Sequence, residues 1–409
     1  MNGLRVAVVG GGLGGLCLAH GLVKAGLDVT LYERDASLAG RRQGYRLHLD
    51  ARAGLALQQC LPPPSLGLFQ ASCARASRQM TVMTERLRVL HELNGDPAAD
   101  PYAPATLSTS VNRRTFREVL ARGLEQKVVF GCELTRYEAD QDQIKLYFAD
   151  GRHADADLLV GADGVHSAVR RQYLPAAEPA DTGTRSIYGK TPLSGQVMDR
   201  LPAALNEGFT AVVGGRVGMA TGLVRFRQPP QQLGLSPAED YLMWAVTADR
   251  GRFGVPDGQL TAMDPASLHR LSGELIKNWH PDLRALHALA QVDETFAVRI
   301  RTSPPVEAWP PSRVTLLGDA IHAMSPARGS GANTALQDAA TLCRALSAKE
   351  TKETTETKET TAAVADYESQ MRTYGYRAVA ASSQAEAEMG ARHNRLAFWL
   401  YRRLARAGT

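Results

Sequence analysis

Cysteine is scarce and unpatterned in this 409-residue sequence: Cys17, Cys60, Cys73, Cys132 and Cys343 are odd in number and form no C-x-x-C pair. That argues against a disulfide framework or a metal site and for a reducing interior. A long hydrophobic run is missing where a leader would lie. The first apolar run, Leu4 to Val9, is too short for a signal peptide or a membrane span and leads straight into glycines. A surplus of one charge is missing too: the formal net charge is +5 and sits in no single block, which speaks against nucleic-acid binding. A cytoplasmic protein of two or three domains, at roughly 150 residues each, is the expectation.

What is present is a glycine cluster in a telling place. In "LRVAVVGGGLGGLCLAHGLVKAGLDVTLYERD" a valine-rich run, Leu4 to Val9, reads as a parallel strand buried on both faces. Gly10, Gly12 and Gly15 then give G-x-G-x-x-G, and helical apolar spacing follows from Leu16 to Ala25. Gly26 stops that helix, Val29 to Tyr32 makes a second strand, and Glu33 closes it. Each part has a task. Gly10 permits the tight turn, Gly12 removes a side chain where a pyrophosphate must approach, and Gly15 lets helix pack on strand. The helix start offers free N–H groups to phosphate, and Glu33 can accept hydrogen bonds from a ribose diol. The spacing predicts a dinucleotide site without separating FAD from NAD.

Two later stretches decide the cofactor. "ADADLLVGADGVHSAVRR" (154 to 171) holds a strand, Leu158 to Val160, then Asp163-Gly164 and a short arginine-bearing helix. "LLGDAIHAMSPARGSGANTALQDA" (316 to 339) ends the strand Val314 to Leu317, passes Gly318-Asp319 and enters a glycine-rich helix start. Glycine at a strand-to-helix junction suits a backbone that must approach something closely. In this order and spacing, over residues 1 to about 345, the three motifs resemble the FAD-dependent monooxygenases of the p-hydroxybenzoate hydroxylase type. That group includes salicylate hydroxylases, polyketide-tailoring hydroxylases and tetracycline-inactivating oxygenases.

The resemblance implies an α/β fold: a Rossmann-like FAD-binding domain of the glutathione-reductase type, interleaved with a β-sheet substrate domain, plus C-terminal helices. It implies noncovalent FAD, NADPH or NADH as electron donor, and O2. Asp319, after Gly318, should hydrogen-bond the ribityl chain, and Asp163 with Gly164 should lie beside the pyrophosphate and the path of the reduced nicotinamide. Pro326 should bend the chain at the flavin ring, while Gly329, Gly331, Ala332 and Asn333 wrap its N1/C2 carbonyl edge. Reduced flavin is negative at N1 and O2, and N–H groups at a helix start stabilise that charge. Leu13 and Gly14, inside the first motif, and Arg34, beside Glu33, belong to the same expected cofactor set. In "SVNRRTFREVL" (110 to 120) Asn112 would cap a helix and Arg113 would reach the ribityl chain or phosphate, with Arg114 the neighbour that could be exchanged for it. In "GRRQGYRLHLD" (40 to 50) strand alternation puts Arg46, His48 and Asp50 on one face. Arg46 or His48 would touch flavin or nicotinamide, unless that face is merely solvated. Arg41 loosely matches an arginine assigned to NADPH contact in tetracycline-inactivating relatives. Because the flavin carries the chemistry, no catalytic residue is assigned beyond the candidates Arg46 and His48. His322 is expected to pack or to bond the backbone.

Boundaries follow the patterns. Residues 1–76, 94–180 and 293–348 are assigned to the FAD-binding domain, and 77–93 with 181–292 to the substrate domain, where strands alternate from about 181 to 300. "KETKETTETKETT" (349 to 361) lacks apolar residues and reads as a mobile linker; residues 362–409 read as helices, basic and amphipathic at 392 to 407. Tyr188, Met219, Met243 and Trp244 are candidates for the substrate wall, and each could equally be core. The implied reaction is insertion of one oxygen atom into a mostly apolar metabolite, first by aromatic hydroxylation through a C4a-hydroperoxyflavin. Epoxidation or another oxygen insertion on an alkene or ketone is the second reading, and a non-oxygenating FAD-binding protein the third. A small-molecule substrate, no membrane partner, and a monomer or homodimer complete the expectations.

Overall fold

The valine-rich run near the amino terminus becomes the middle of a parallel sheet. The computed structural model describes residues 4–38, 44–77, 79–96, 98–140, 143–199, 201–202, 205–347 and 356–392. Five strands lie in the order Val314–Leu316, Leu158–Gly161, Arg5–Val9, Asp28–Glu33, Val128–Phe130, all parallel. Arg5–Val9 and Leu158–Gly161, in the middle, are buried on both faces and apolar without alternation, whereas Asp28–Glu33, nearer the edge, alternates. Helices Leu13–Lys24, Ala51–Cys60 and Gly331–Ser347 pack on one another beside this sheet. A three-stranded sheet (Leu134–Ala139, Ile144–Phe148, His153–Ala156) also contacts it, with the Phe148 ring centroid 4.8 Å from that of Tyr32.

Register positions the site. Val9 pairs with Gly161 and Gly161 with Leu316, so three neighbouring strands end level and their turns stand side by side. These turns carry Gly10 to Gly15, Asp163-Gly164 and Gly318-Asp319. In open parallel sheets ligands bind outside the carboxyl ends of the strands, where these turns lie.

A second, seven-stranded sheet runs Phe296–Thr302, Ala180–Pro192, Tyr241–Asp249, Val217–Val224, Phe209–Gly214, Gln79–Thr84, Val89–Asn94. One face is a core of its own: Met83, Ile187, Val212, Met219, Leu242, Trp244 and Val246 cluster with Leu268, Leu283 and Leu286. The last three come from helices Pro265–Leu275 and Pro281–Ala288. The expected alternation of strands through 181 to 300 is therefore interrupted. Proline opens both helices, and Asp264 caps the first by accepting the Ser267 N–H at 2.9 Å.

The low-complexity stretch also departs from expectation. Helix Glu356–Arg392 begins inside it, so residues 356–361 are helical where a linker was expected. Glu and Lys are good helix formers, and fully buried Val364, Tyr367 and Met371 anchor the helix they extend. The basic stretch past Arg392 lies outside the described residues. Among the described residues no helix is long and apolar enough to cross a membrane.

Candidate functional site

At the first turn the glycines divide by what surrounds them. Gly10 has φ +112°, and a Cβ there would lie 2.3 Å from the Ala162 carbonyl oxygen; a Cβ on Gly15 would lie 2.1 Å from that of Gly10. The chain's own packing needs both. Gly14 is similar, since its Cβ would stand 2.8 Å from Leu317 Cδ1, and Leu13 is buried beside it. Gly12 is different: a Cβ there would meet no atom within 4 Å. It is also the N-cap of helix Leu13–Lys24, with no side chain capping it. Open space at an uncapped helix start suits a phosphate group.

Glu33 is only 1% exposed, and its neighbours are donors of the chain itself. Its Oε2 accepts the Gly11 N–H at 2.7 Å and Arg117 Nη2 at 3.0 Å, and Oε1 accepts the Asp35 N–H at 2.9 Å. Expected as a ribose acceptor, it also braces the glycine turn. Arg117, absent from the expected set, completes the brace by donating from Nε to the Gly11 carbonyl at 2.7 Å. It is 4% exposed between buried Phe116 and Leu120's stripe; a charge among the apolar positions of an amphipathic helix was the available signal. Arg34 is exposed, and Arg41 lies outside the described residues.

Asp163 gives a sharper indication. Its Oδ2 accepts the Ala168 and Val169 N–H groups at 2.7 and 3.3 Å, while Oδ1 is buried with no partner. Burial pushes its carboxyl pKa up. An orphaned carboxylate oxygen costs about 1–3 kcal/mol unless something donates to it. Gly164 follows at φ +77°. Arg170 ties this turn to the third one, donating from Nη1 to the carbonyls of Val165 and Ala320 at 3.0 Å each. The exposed His166 has its pKa lowered, first by desolvation and then by the charges of Arg301, Arg34, Arg170 and Arg171.

At the third turn Gly318 takes φ +63°, a glycine conformation, and donates its N–H to Asp338 Oδ2 at 2.7 Å. Asp319 has accessible surface, yet desolvation by the surrounding chain raises its carboxyl pKa. Its surface therefore faces a recess rather than bulk water. A Cβ on Gly331 would lie 3.9 Å from Asp319 Oδ1, so the carboxylate stands next to the start of helix Gly331–Ser347. Pro326 and Gly329 are exposed, Gly331 and Ala332 half-buried, and Gly329 is left-handed at φ +60°. Asn333 offers the expected cofactor edge its backbone alone. Its side chain is fully used within the chain, donating to the carbonyls of His48 and Gly329 at 3.0 Å each and accepting the Asp50 N–H at 2.9 Å. It clamps strand Arg46–Asp50 to the helix, leaving only backbone for a ligand. His322 is fully buried, as expected of a packing residue, and its ring bonds the carboxylate of Asp338, 2.6 Å away.

The two arginines of helix Arg113–Ala121 separate. Arg114 is exposed, 3.6 Å from Glu294 Oε1. Arg113 is half-buried, its guanidinium 5.7 Å from the Tyr45 ring centroid, and its charge acts on Asp319. Asn112 caps the helix by accepting the Arg114 and Thr115 N–H groups at 3.0 and 3.2 Å.

Strand Arg46–Asp50 faces the seven-stranded sheet. A Cβ on Gly222 would lie 2.7 Å from Arg46 Cδ. Gly222 pairs with Met243, and Tyr188 lies on the same face two positions along. Tyr45, Tyr188 and Phe296 form an aromatic cluster there, with Tyr188 and Phe296 stacked at 5.4 Å. So Tyr188 and Met243 look toward the flavin-motif side. Met219 and Trp244 do not: they lie in the core on the opposite face, Trp244 4.5 Å from the His287 ring. His48 is held neutral, its pKa pushed down to about 4 by desolvation and then by Arg46.

Level glycine turns at the ends of a parallel sheet, an open uncapped helix start and an orphaned buried carboxylate oxygen fit a dinucleotide and define an α/β dinucleotide-binding protein. The chain belongs to the FAD binding domain family, which matches residues 3–188 and 264–380, and its cofactor is FAD. A solved structure of a putative FAD containing monooxygenase from Photorhabdus luminescens is 32% identical with a TM-score of 0.79, covering 93% of this chain and 97% of that one. A dual O-methyltransferase/FAD-dependent monooxygenase of Phaeosphaeria nodorum is 35% identical over 83% of this chain but only 40% of its own length. The aurachin C monooxygenase/isomerase of Stigmatella aurantiaca is 27% identical over 99% of this chain and 94% of that protein.

Proposed function

We propose that the protein is an FAD-dependent, NAD(P)H-consuming monooxygenase that hydroxylates an aromatic metabolite. The observation that carries this reading is Arg113, which bridges the two halves: its charge acts on Asp319 at the flavin motif while its guanidinium lies 5.7 Å from Tyr45 in the aromatic cluster. A planar ring stacked near Tyr188 and Phe296 would then lie beside the flavin edge.

Bound FAD would supply hydride acceptance and activation of O2. The chain would supply the rest. Gly12 and the helix start behind it would take the pyrophosphate, and Asp163 Oδ1 would accept a hydrogen bond from the bound nucleotide. Asp319 would hold a ribityl hydroxyl, and the backbone N–H groups from Gly331 onward would face the N1/C2 edge. Arg34, Arg171 and Arg301 around His166 form a cationic cluster beside the Asp163 turn, suited to the phosphates of the nicotinamide coenzyme. The apolar sheet face would exclude water from the reacting atoms.

The test is NADPH and NADH oxidation by the purified holoprotein with candidate aromatics, followed by mass analysis under labelled O2. Gain of one labelled oxygen on an aromatic carbon supports the reading. Flavin reduction with no labelled product from any substrate that accelerates it would replace it with a non-oxygenating role.

A further inference from the structure

Arg46 is a charge without a counter-charge. Its side chain leaves strand Arg46–Asp50 toward the seven-stranded sheet, where its stem packs on Gly222 and its guanidinium lies 5.6 Å from the Phe209 ring centroid. Its Nε is buried with no hydrogen-bond partner. Among the described residues no carboxylate pairs with it. The nearby acids are engaged elsewhere: Asp50 with Arg52 at 2.7 Å, Glu294 with Lys190 at 3.2 Å and Arg114 at 3.6 Å. The enclosing protein pulls the guanidinium pKa down to about 10 by desolvation, with Tyr241 the other group acting on it. It therefore stays cationic at neutral pH. His48, two residues on along the same face, is neutral there.

Arg46 is half-buried, but its Nε is a buried donor left unsatisfied, which is costly, and an anion beside it would complete it. There is room beside it. Gly218, Ala220 and Gly222 alternate on the face that Arg46 meets, and Ala211 opposite Ala220 is small as well; Gly218, Ala220 and Ala211 keep accessible surface. Guanidinium matches the planar, two-oxygen geometry of a carboxylate or a delocalised enolate.

We propose that Arg46 is a specificity-determining residue that pairs with an anionic oxygen of the substrate, so that the enzyme selects acidic aromatic molecules over neutral ones. This rests on the monooxygenase reading for the word substrate, but its test does not need turnover. The same charge could instead serve the phosphates of the nicotinamide coenzyme. Against that, Arg46 reaches to the sheet around Gly222 and Phe209, whereas the phosphate-type turns lie at Gly12 and Asp163.

The experiment is calorimetric titration of the holoprotein with benzoate, salicylate, 2-naphthoate and 3-hydroxy-2-naphthoate, each beside its neutral amide. At least one anion should bind tenfold or more tightly than its amide in the wild type. Arg46→Met should lower that anion's affinity about tenfold to hundredfold while the amide changes little, and Arg46→Lys should recover part of the difference. No anion preference anywhere in the set, including no binding up to millimolar concentration, overturns the proposal whether or not the variant folds. So does an Arg46→Met protein that keeps its anion preference, or one whose loss is confined to NADPH or FAD affinity. A failed oxygenation assay with the anion preference intact would overturn only the monooxygenase reading.

Discussion

His322 and Asp338 form a buried ion pair, with imidazole Nε2 2.6 Å from carboxylate Oδ2 and neither side chain exposed. The same carboxylate accepts the Gly318 N–H at 2.7 Å and the Tyr374 hydroxyl at 2.7 Å. One residue of helix Gly331–Ser347 thus fixes the turn before Asp319 and ties it to helix Glu356–Arg392. Burial pulls the His322 pKa down, but the charge and hydrogen bond of Asp338 outweigh it and the net direction is up. His322→Ala leaves the carboxylate buried without its imidazole partner, so a loss of about 3–5 kcal/mol is expected. Urea unfolding of His322→Ala, Asp338→Asn and the double variant checks this. The double variant should lose less than the sum of the singles; simple additivity would mean that the pair does not act as one.

Gly12 and Gly15 should fail in opposite ways. A Cβ at Gly12 meets nothing in the chain, so Gly12→Val should fold and lose FAD. A Cβ at Gly15 lies 2.1 Å from the Gly10 carbonyl, so Gly15→Ala should lose stability with or without FAD. Flavin content and thermal unfolding of both proteins separate the two effects. Full flavin occupancy in Gly12→Val would remove the phosphate assignment.

Asp319→Ala should weaken FAD binding while leaving the fold intact. The carboxylate has accessible surface and serves no hydrogen bond of the chain among those described, so deletion leaves no partner stranded. Loss of a charge-assisted hydrogen bond to a ribityl hydroxyl is worth about 1.5–3 kcal/mol, or roughly tenfold to hundredfold in affinity. FAD titration into the apoprotein measures it. Affinity equal to wild type would mean that the third turn does not touch the cofactor.

The parts legible from sequence are those where local chemistry is sufficient. The valine runs, the glycine spacing and the strand-to-glycine junctions specify their own conformations, and parallel register then aligns them. Face parity was not legible. A period of two says that Tyr188 and Met243 share a face opposite Met219 and Trp244 only once the strand pairing is known, because pairing decides which face is covered. Arg117 and Asp338 were missed for a related reason. Each is a charge on an otherwise apolar helix face whose partner is far along the chain: Glu33 is 84 residues from Arg117, and Tyr374 is 36 from Asp338. The helix over 356–361 was missed because its stabilisation comes from Tyr367 and Met371 packing beyond the low-complexity stretch.

Acid sensitivity should trace in part to His287. Its ring is buried, bonded at Nε2 to Ser272 Oγ (2.8 Å), stacked 4.2 Å from His269 and 4.5 Å from Trp244. Desolvation, then the neighbouring His269, pushes its pKa down to about 3. An unfolded histidine titrates near about 6.5. Between those values the unfolded chain binds a proton that the native protein refuses, so stability must fall as pH falls. The contribution is intact above about pH 6.5, and close to 2.5 kcal/mol of it should be gone by about pH 4.5. His48, also depressed, adds to the same window. His287→Gln keeps a hydrogen-bonding amide near Ser272 but cannot titrate. Urea unfolding at neutral and acidic pH should therefore show a smaller acid loss in His287→Gln than in the wild type. Equal acid losses would mean that this histidine is not held neutral in the native core.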